Sequence, residues 1–383
     1  MQTAFPLNTY EERQARVLKR MEAAGLDALI VNFPDNINYL TGVDSLGFLW
    51  YQALVLSPRM ARPWFVTRSA EEPPTWELSS VRDARFYDIA SQDPLAIVAD
   101  FLKGLKLARG RIGIEPTAFT FSPAQYQHLR ALLPQAKLED ATLIVAEERL
   151  IKTAAEIGFQ RQAAEMADEG IKAGFAALRP GISEVEVAGI MAAALGRAGS
   201  EYAAISPMIA TGRRSSMTHA MPNRVAIAKG DVVIIELAGV CNRYHCVTMR
   251  TAVVGRPSGR VQDVALLLEE AFLAACDASR PGAPAGAPDR ACNEVLDRLD
   301  LSRTRVHRIG YSLGIAYPPT WLEAMILDDT DGHELAPNMS FTIEPNLSLY
   351  GEGFGMKLGD TVLCTERGCE RLSALATGLT VID

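Results

Sequence analysis

The chain has 383 residues, 48% of them hydrophobic and 22% charged, with a formal net charge of -8. That length exceeds what one core usually fills, so two domains are expected. The acidic balance, with no Lys/Arg cluster, gives no footing for nucleic acid or an anionic membrane surface. No apolar run approaches the roughly 20 residues of a membrane span, and Met1–Tyr10 lacks the basic start and apolar core of a signal peptide. Six cysteines (241, 246, 276, 292, 364, 369) form no CxxC pair, which in so long a chain reads as reduced, mostly buried thiols. A soluble cytoplasmic protein is the expectation.

Glu11 to Ala24 spaces Val17, Leu18, Met21 and Ala24 as a helix does, and Gly25 ends it. Leu26 to Val31 reads as a strand, Asn36 to Gly42 as a short helix or turn, and Trp50 to Leu56 and Pro63 to Thr67 as paired strands. A helix over Ala96 to Leu107 and a strand over Arg111 to Ile114 follow. Strands alternate with helices, so residues 1–150 are expected to form an α/β domain. Leu143 to Leu150 then leads into a second domain over residues 151–383.

Thr153 and Glu156 form a capping box, heading a long helix to about Leu178 and the turn Arg179-Pro180-Gly181. Ser183 and Glu186 form a second box before a helix to about Gly199. Val264 to Ala278 repeats the helical spacing and again ends in Arg-Pro-Gly (280–282), with another helix near Asp289 to Leu299. Each helix, turn and helix unit precedes strand-like runs: Ile205 to Ala210 and Val232 to Val254, then Phe341 to Glu344 and Asp360 to Thr365. This points to an internal repeat, two halves sharing one curved sheet with a site between them.

Within that frame the apolar run Val232 to Ile235 ends on Glu236. A carboxylate among apolar neighbours must be paired, hydrogen-bonded or protonated, so Glu236 is either a site residue or an edge-strand glutamate facing water. His219 precedes this strand and His245 follows it; each is either its partner in acid–base work or a structural histidine. His128 and His333 read as surface residues, and His307 is undecided. Gly310 to Trp321, GYSLGIAYPPTW, combines glycines, aromatics and a double proline, suited to walling an apolar or cation-binding pocket through Tyr311, Tyr317 and Trp321. Phe341 to Pro345 again ends a strand on a carboxylate, Glu344.

The order His219, Glu236, Arg250-Thr251, Gly310 to Gly314, Glu344-Pro345 and Asp360-Thr361-Val362 resembles the pita-bread superfamily, which holds the methionine and Xaa-Pro aminopeptidases, prolidase and creatinase. The resemblance spans essentially the whole chain. It implies a creatinase-type α/β N-terminal domain and an α+β pita-bread C-terminal domain with a pseudo-twofold internal repeat. In the metallopeptidases of that family two Asp, one His and two Glu hold two metal ions. Those positions fall here on Glu236, Val247, Tyr311, Glu344 and Gly359. Divalent ions take about four to six ligands each, so the resemblance implies neither metal nor cofactor. A single ion on His219, Glu236, His245 and Glu344 is the metal alternative.

IELAG-x3-RYHC-x3-RT (Ile235 to Thr251) together with GYSLGIAYPPTW is similar to the metal-independent branch, creatinase and above all ectoine hydrolase. Glu344-Pro345 and Lys357 depart from it and leave the substrate open. The implied activity is hydrolysis of a C–N bond in a small amidine, guanidino or cyclic-amide compound. Glu236 is then nucleophile or water-activating base, His219 protonates the leaving nitrogen and Glu344 holds the cation. Tyr244, His245 and Tyr311 orient the substrate, and Tyr317, Trp321 and Lys357 complete its surroundings. The resemblance further implies a homodimer in which the N-terminal domain covers the partner's site through Phe48, Trp50 and Tyr51. The rival readings are a metal-dependent Xaa-Pro dipeptidase or aminopeptidase and a non-catalytic binding member of the fold.

Overall fold

The computed structural model describes residues 3–383; Met1 and Gln2, the start of the segment read for a signal peptide, lie outside them. The chain divides between Arg149 and Leu150 into two compact units. No helix of the described residues is long and apolar enough to cross a membrane.

The first unit runs α1 (Leu7–Ala23), β1 (Ala28–Val31), α2 (Pro34–Thr41), β2 (Ala53–Leu56), β3 (Trp64–Arg68), α3 (Glu72–Leu78), β4 (Ala84–Tyr87), α4 (Pro94–Gly104), β5 (Arg111–Ile114), α5 (Pro123–Leu132), β6 (Lys137–Asp140) and α6 (Thr142–Ala146). Its six strands form one mixed sheet in the order β4-β3-β2-β1-β5-β6. The central strands β1 and β2 are buried at every residue, as sheets covered on both faces require. The expected strand from Trp50 starts only at Ala53, because residues 46–49 form a short 3₁₀ turn. Sequence patterning missed β4 and β6, whose ARFY and KLED sequences offer no apolar run. Both lie at sheet edges, where polar side chains discourage further pairing.

The second unit holds α7 (Ala154–Ala177), α8 (Glu184–Arg197), β7 (Met208–Thr211), β8 (Val232–Cys241), β9 (Tyr244–Val254), α9 (Gly259–Ala278), α10 (Ala287–Leu296), β10 (Ser340–Ile343), β11 (Asn346–Leu349), β12 (Phe354–Lys357), β13 (Gly359–Thr365), β14 (Gly368–Arg371) and β15 (Thr380–Ile382). Both capping boxes are formed, at Thr153/Glu156 and Ser183/Glu186. Helix α9 starts upstream of the expected Val264, because Ser258 caps it by accepting from the Val261 amide at 3.2 Å. Strands β8 and β9 form a long hairpin closed by Asn242 and Arg243, at φ 49° and 65°, the paired left-handed conformation of a tight hairpin turn.

The main sheet runs β10-β13-β9-β8-β7, with β14 beside β13 and β15 beside β9. Ala167 and Ile171 of α7 and Val187 and Met191 of α8 pack with Ile209, Ile235 and Leu237 on one half of this sheet. Val264 and Phe272 of α9 and Cys292 of α10 pack with Phe341, Ile343 and Val362 on the other. Each helix pair thus covers its own strands, the arrangement that the repeated helix-turn-helix pattern demands. Register sets the chemistry: Met208 pairs with Glu236, Glu236 with Met249, and Met249 with Gly359. Ile343 pairs with Asp360, which brings Glu344 to the level of Glu236.

Candidate active site

A cavity of about 390 Å³ opens over this row of paired residues. Glu236, Glu344, Lys357, His219, Tyr311 and Trp321 all line it, together with His307, Arg308 and an apolar wall that includes Met208, Met249 and Pro319. Glu236 and Lys357 are both buried, and Lys357 Nζ donates to Glu236 Oε2 at 2.5 Å. The lysine is fixed through its own backbone: Thr251 Oγ1 donates to the Lys357 carbonyl at 2.8 Å and accepts from its amide at 2.9 Å. Such a buried pair costs desolvation but holds one geometry.

Glu344 is the second buried carboxyl. Its Oε2 is buried without a hydrogen-bond partner among the described residues. Burial first, and the neighbouring Glu236 second, push its carboxyl up to about 8; the Lys357 ammonium and hydrogen bonds with Tyr311 and Thr342 oppose the rise. At neutral pH Glu344 is therefore a neutral carboxylic acid beside the Lys357–Glu236 ion pair. Burial, then the two glutamates, raise the Tyr311 phenol well above its ordinary value, against the hydrogen bond from Trp321 Nε1 at 2.7 Å. It stays a neutral phenol.

His219 sits in an exposed turn at the cavity, tied down by the buried Glu184. Glu184 accepts from the Thr211 amide at 2.9 Å, the Asn223 amide at 2.9 Å and Arg214 Nε at 3.1 Å, while Arg214 Nη2 donates to the Met221 carbonyl at 2.7 Å. Both ends of the loop are thereby pinned to α8. Opposite His219 stands His307, its ring parallel to within 4° at a centroid separation of 6.2 Å. His307 Nδ1 donates to the Arg308 carbonyl at 2.7 Å, leaving Nε2 as acceptor toward Asn346 Nδ2 at 3.4 Å. Burial, followed by Lys357 and His219, lowers its basicity, so it is neutral near pH 7, while its hydrogen bond to Arg308 and the Glu236 charge oppose this.

Tyr244, His245 and Tyr317, expected beside the substrate, do not line this cavity. The Tyr244 hydroxyl donates to Glu156 Oε1 at 2.6 Å, so it serves the capping residue of α7. His245 Nδ1 donates to the Arg243 carbonyl at 2.8 Å and Nε2 accepts from the Ala204 amide at 3.0 Å. Burial and the Arg243 charge push His245 down to about 3, a neutral imidazole with both nitrogens engaged. Tyr317 is buried beneath the Arg243 guanidinium, 4.7 Å from its ring centroid. For His245 and Tyr317 the cause is shared: the hairpin turn carries Arg243 into the interior, and both pack against that residue. Trp50 belongs to the first unit, where Arg68 covers its ring at 3.4 Å. Phe48 and Tyr51 are buried in the same unit, and the exposed apolar residues of that segment are Leu46 and Leu49.

His307 and Arg308 are the polar lining residues that sequence reasoning did not assign. Their signal was their place just before the Gly310 to Gly314 turn, which turns Tyr311 toward the same space. The remaining motif residues are framework. Arg250 donates to Asp360 Oδ1 at 2.8 Å, and Thr361 Oγ1 engages the Val247 amide and carbonyl at 2.8 and 3.1 Å.

The donor set does not fit a pair of metal ions. Among the described residues no three His, Cys, Asp or Glu side chains converge as a metal site. Val247 has no donor atom, and a side chain on Gly359 would meet Glu344 Cβ at 2.9 Å and Met249 Sδ at 3.1 Å. The single-ion alternative loses His245, whose nitrogens are both spent, and meets the Lys357 ammonium already seated on Glu236.

Two buried carboxyls with imidazoles beside them thus line one cavity of the second unit. Residues 159–366 match metallopeptidase family M24 and residues 13–151 the creatinase/prolidase N-terminal domain. The chain belongs to family M24, on the pita-bread fold. It is 29% identical to an ectoine hydrolase of Halomonas elongata over 96% of each chain. It is 27% identical to an Xaa-Pro dipeptidase of Pyrococcus furiosus, over 95% of this chain and 98% of that one. The structure of a prolidase from Thermococcus sibiricus superimposes with a TM-score of 0.89 at 24% identity, covering 97% and 99% of the two chains.

Proposed function

We propose that this protein hydrolyses, without metal, a C–N bond in a small amidine, guanidino or cyclic-amide compound; one relative is by name an ectoine hydrolase. The observation that carries the reading is the Lys357–Glu236 contact: an ammonium stands 2.5 Å from the first carboxylate of the metal-ligand series. It supplies the positive charge that would otherwise call for an ion there.

An amidinium or guanidinium group enters beside Glu344. The cation stabilises the ionised carboxyl, so Glu344 gives up its proton and pairs with the substrate. Glu236, held through Oε2, takes a proton from water as the water oxygen bonds the electrophilic carbon. The His219 imidazole delivers a proton to the leaving nitrogen as the C–N bond breaks and its electron pair stays on nitrogen. Glu236 returns its proton through solvent to His219, and the products are an amine with an amide from an amidinium or a urea from a guanidinium. Direct attack by Glu236 on the carbon fits the same geometry, with water then cleaving the acyl-carboxylate. We extend the reading to a homodimer in which Leu46 and Leu49, 61% and 62% exposed, contribute to the subunit contact.

The test is metal analysis of full-length protein purified without chelator, beside turnover assays with ectoine, creatine, related amidines and ureas, and Xaa-Pro dipeptides. Turnover of an amidine or guanidino compound that survives EDTA is expected. Stoichiometric metal with EDTA-sensitive dipeptide cleavage would overturn the reading in favour of a dipeptidase. Tight binding of an amidine without turnover would favour a non-catalytic member of the fold.

A further inference from the structure

The tip of the β8–β9 hairpin carries an arginine where its backbone favours another residue. Asn242 and Arg243 both have positive φ, and the second place in such a turn ordinarily falls to glycine. The Arg243 side chain nevertheless runs inward and is buried. A buried guanidinium needs acceptors, because it cannot give up its charge. Glu201 supplies little of this: its Oε2 stands 4.0 Å from Nη1, and its two oxygens accept from the Asn242 and Arg243 amides at 2.8 Å. Main-chain carbonyls of two separate loops take the charge instead. Nη1 donates to the Tyr202 carbonyl and Nη2 to the Ala316 carbonyl, each at 2.7 Å. The rings of Tyr202 and Tyr317 lie 4.0 and 4.7 Å from the guanidinium carbon. Both loops then run on to wall the cavity, through Ile205 on one side and Pro319, Trp321 and Leu322 on the other. His245 repeats the link: its Nε2 accepts from the Ala204 amide at 3.0 Å, and its own amide donates to the Gly314 carbonyl at 2.9 Å. Ala204, Ala316 and Trp321 share one buried apolar cluster, with Ile205 and Leu322 packed against it.

We propose that Arg243 is a positioning residue: it clamps the loops 202–205 and 314–322 to the hairpin tip and so sets the separation of two walls of the cavity. Arg243 does not itself line the cavity. It acts through Ile205 on one wall and Trp321 on the other, and Trp321 donates to the Tyr311 hydroxyl at 2.7 Å. A guanidinium suits the task because its rigid fork holds two carbonyls at once, whereas an ammonium on a flexible stem is a single point charge. The unfavoured backbone at Arg243 and the buried charge both cost stability, and what they hold in return is loop geometry. The clamp stands on these contacts alone. Its kinetic consequence, a weaker hold on substrate when the clamp is released, rests on the hydrolytic reading given above.

The experiment is hydrogen–deuterium exchange of the full-length wild-type, Arg243→Gly and Arg243→Lys proteins, read over peptides that cover both loops and strands β8 and β9. Glycine gives the turn its favoured residue, so the hairpin should keep its protection. Both loops should exchange roughly tenfold or more faster in Arg243→Gly, and Arg243→Lys should restore part of the protection. Wild-type protection in either loop of Arg243→Gly, or an equal loss in β8 and β9, overturns the clamp. Should Arg243→Gly fail to fold, Arg243→Lys decides by the same comparison of loops with strands. Steady-state kinetics uses whichever of ectoine, creatine and the related amidines and ureas the wild-type chain turns over. KM should rise roughly tenfold in Arg243→Gly while kcat changes less than about threefold, with partial recovery in Arg243→Lys. An unchanged KM with loosened loops rejects the positioning role. If the wild-type chain turns over none of these compounds, the proposed reaction falls and exchange alone decides the clamp.

Discussion

Glu115 and Glu344 end strands in different units of the molecule, are equally buried, and are both pushed up to about 8 chiefly by that burial. They differ in what their oxygens meet. Glu115 Oε2 accepts from the amides of Asn32 and Phe33 at 2.6 and 2.7 Å, and Oε1 from Asn36 Nδ2 at 2.6 Å. Asn36 is itself held by Arg149 at 2.7 Å. That carboxyl knots the end of β5 to the turn between β1 and α2, and its acceptor capacity is spent. Glu344 Oε2 has no hydrogen-bond partner among the described residues, and Glu344 lines a cavity. A shifted carboxyl is therefore not what marks a site here; idle hydrogen-bonding capacity on a cavity-lining residue is.

The sharpest way to break this contrast is mutation at the carboxylate that pairs with Lys357 against mutation at Glu115. Glu236→Gln should lower kcat/KM by roughly 10³-fold or more, and His219→Ala by about 10²- to 10⁴-fold; the exposed His219→Ala should melt close to wild type, while Glu236→Gln melts lower because it leaves the buried Lys357 ammonium unpaired. Glu115→Ala should leave kcat/KM per folded molecule unchanged while lowering the melting temperature. It strands three donors, each worth about 1–3 kcal/mol when left unpaired in the interior. Steady-state kinetics beside thermal melting checks the pair. Full activity in Glu236→Gln, or an inactive but stable Glu115→Ala, would dissolve the distinction between the two regions.

A smaller effect is expected from Glu344 through pH. Pairing with a cation needs the carboxylate, and the free site holds the acid up to about 8. Below that value binding must expel a proton, so affinity for a cationic substrate should fall about tenfold per pH unit and level off above it. Glu344→Gln should bind weakly at every pH and abolish the slope. The measurement is Kd against pH on the His219→Ala background, which leaves Glu236 and Lys357 in place. A flat profile there between about pH 6 and pH 8 contradicts cation pairing by Glu344.

Strand-end glutamates also show how far the sequence carries. Ile112-Gly113-Ile114-Glu115, Val232 to Glu236 and Phe341 to Glu344 present one pattern, an apolar run closing on a glutamate. Local sequence cannot separate them, because which donors meet each carboxyl depends on loops far away in the chain. Helices announced by capping boxes and the row Glu236, Tyr311, Glu344 were legible, since periodicity and motif order are local. His245 was misplaced because its neighbour Arg243 turns inward, and Tyr244 because Glu156 of α7 takes its hydroxyl, both tertiary facts. Arg308 escaped notice because an arginine in a loop looks solvated until the space around its Nε is known.

The least effect is a change of stability with pH, and it tests whether the two carboxyls titrate alike. A carboxyl raised from 4.5 to about 8 on folding binds a proton in the native state that the unfolded chain has lost. Its contribution is fully present below about 4.5 and disappears as pH rises through about 8. The lowered histidines, His245 and His307, act in the opposite sense, but an unfolded histidine has released its proton by about pH 7. Between about pH 7 and pH 9 the carboxyls therefore dominate these terms, and the wild-type melting temperature should fall by a few degrees. Glu344→Gln should flatten that fall without loss of fold, because glutamine replaces a neutral acid whose Oε2 makes no hydrogen bond. Glu115→Gln should flatten it too, yet start from a lower melting temperature, since its amide nitrogen cannot accept all that the carboxyl accepts. A slope unchanged in Glu344→Gln but removed in Glu115→Gln would mean that only the fully bonded carboxyl carries its proton into neutral solution, and the neutral acid in the cavity would have to be abandoned.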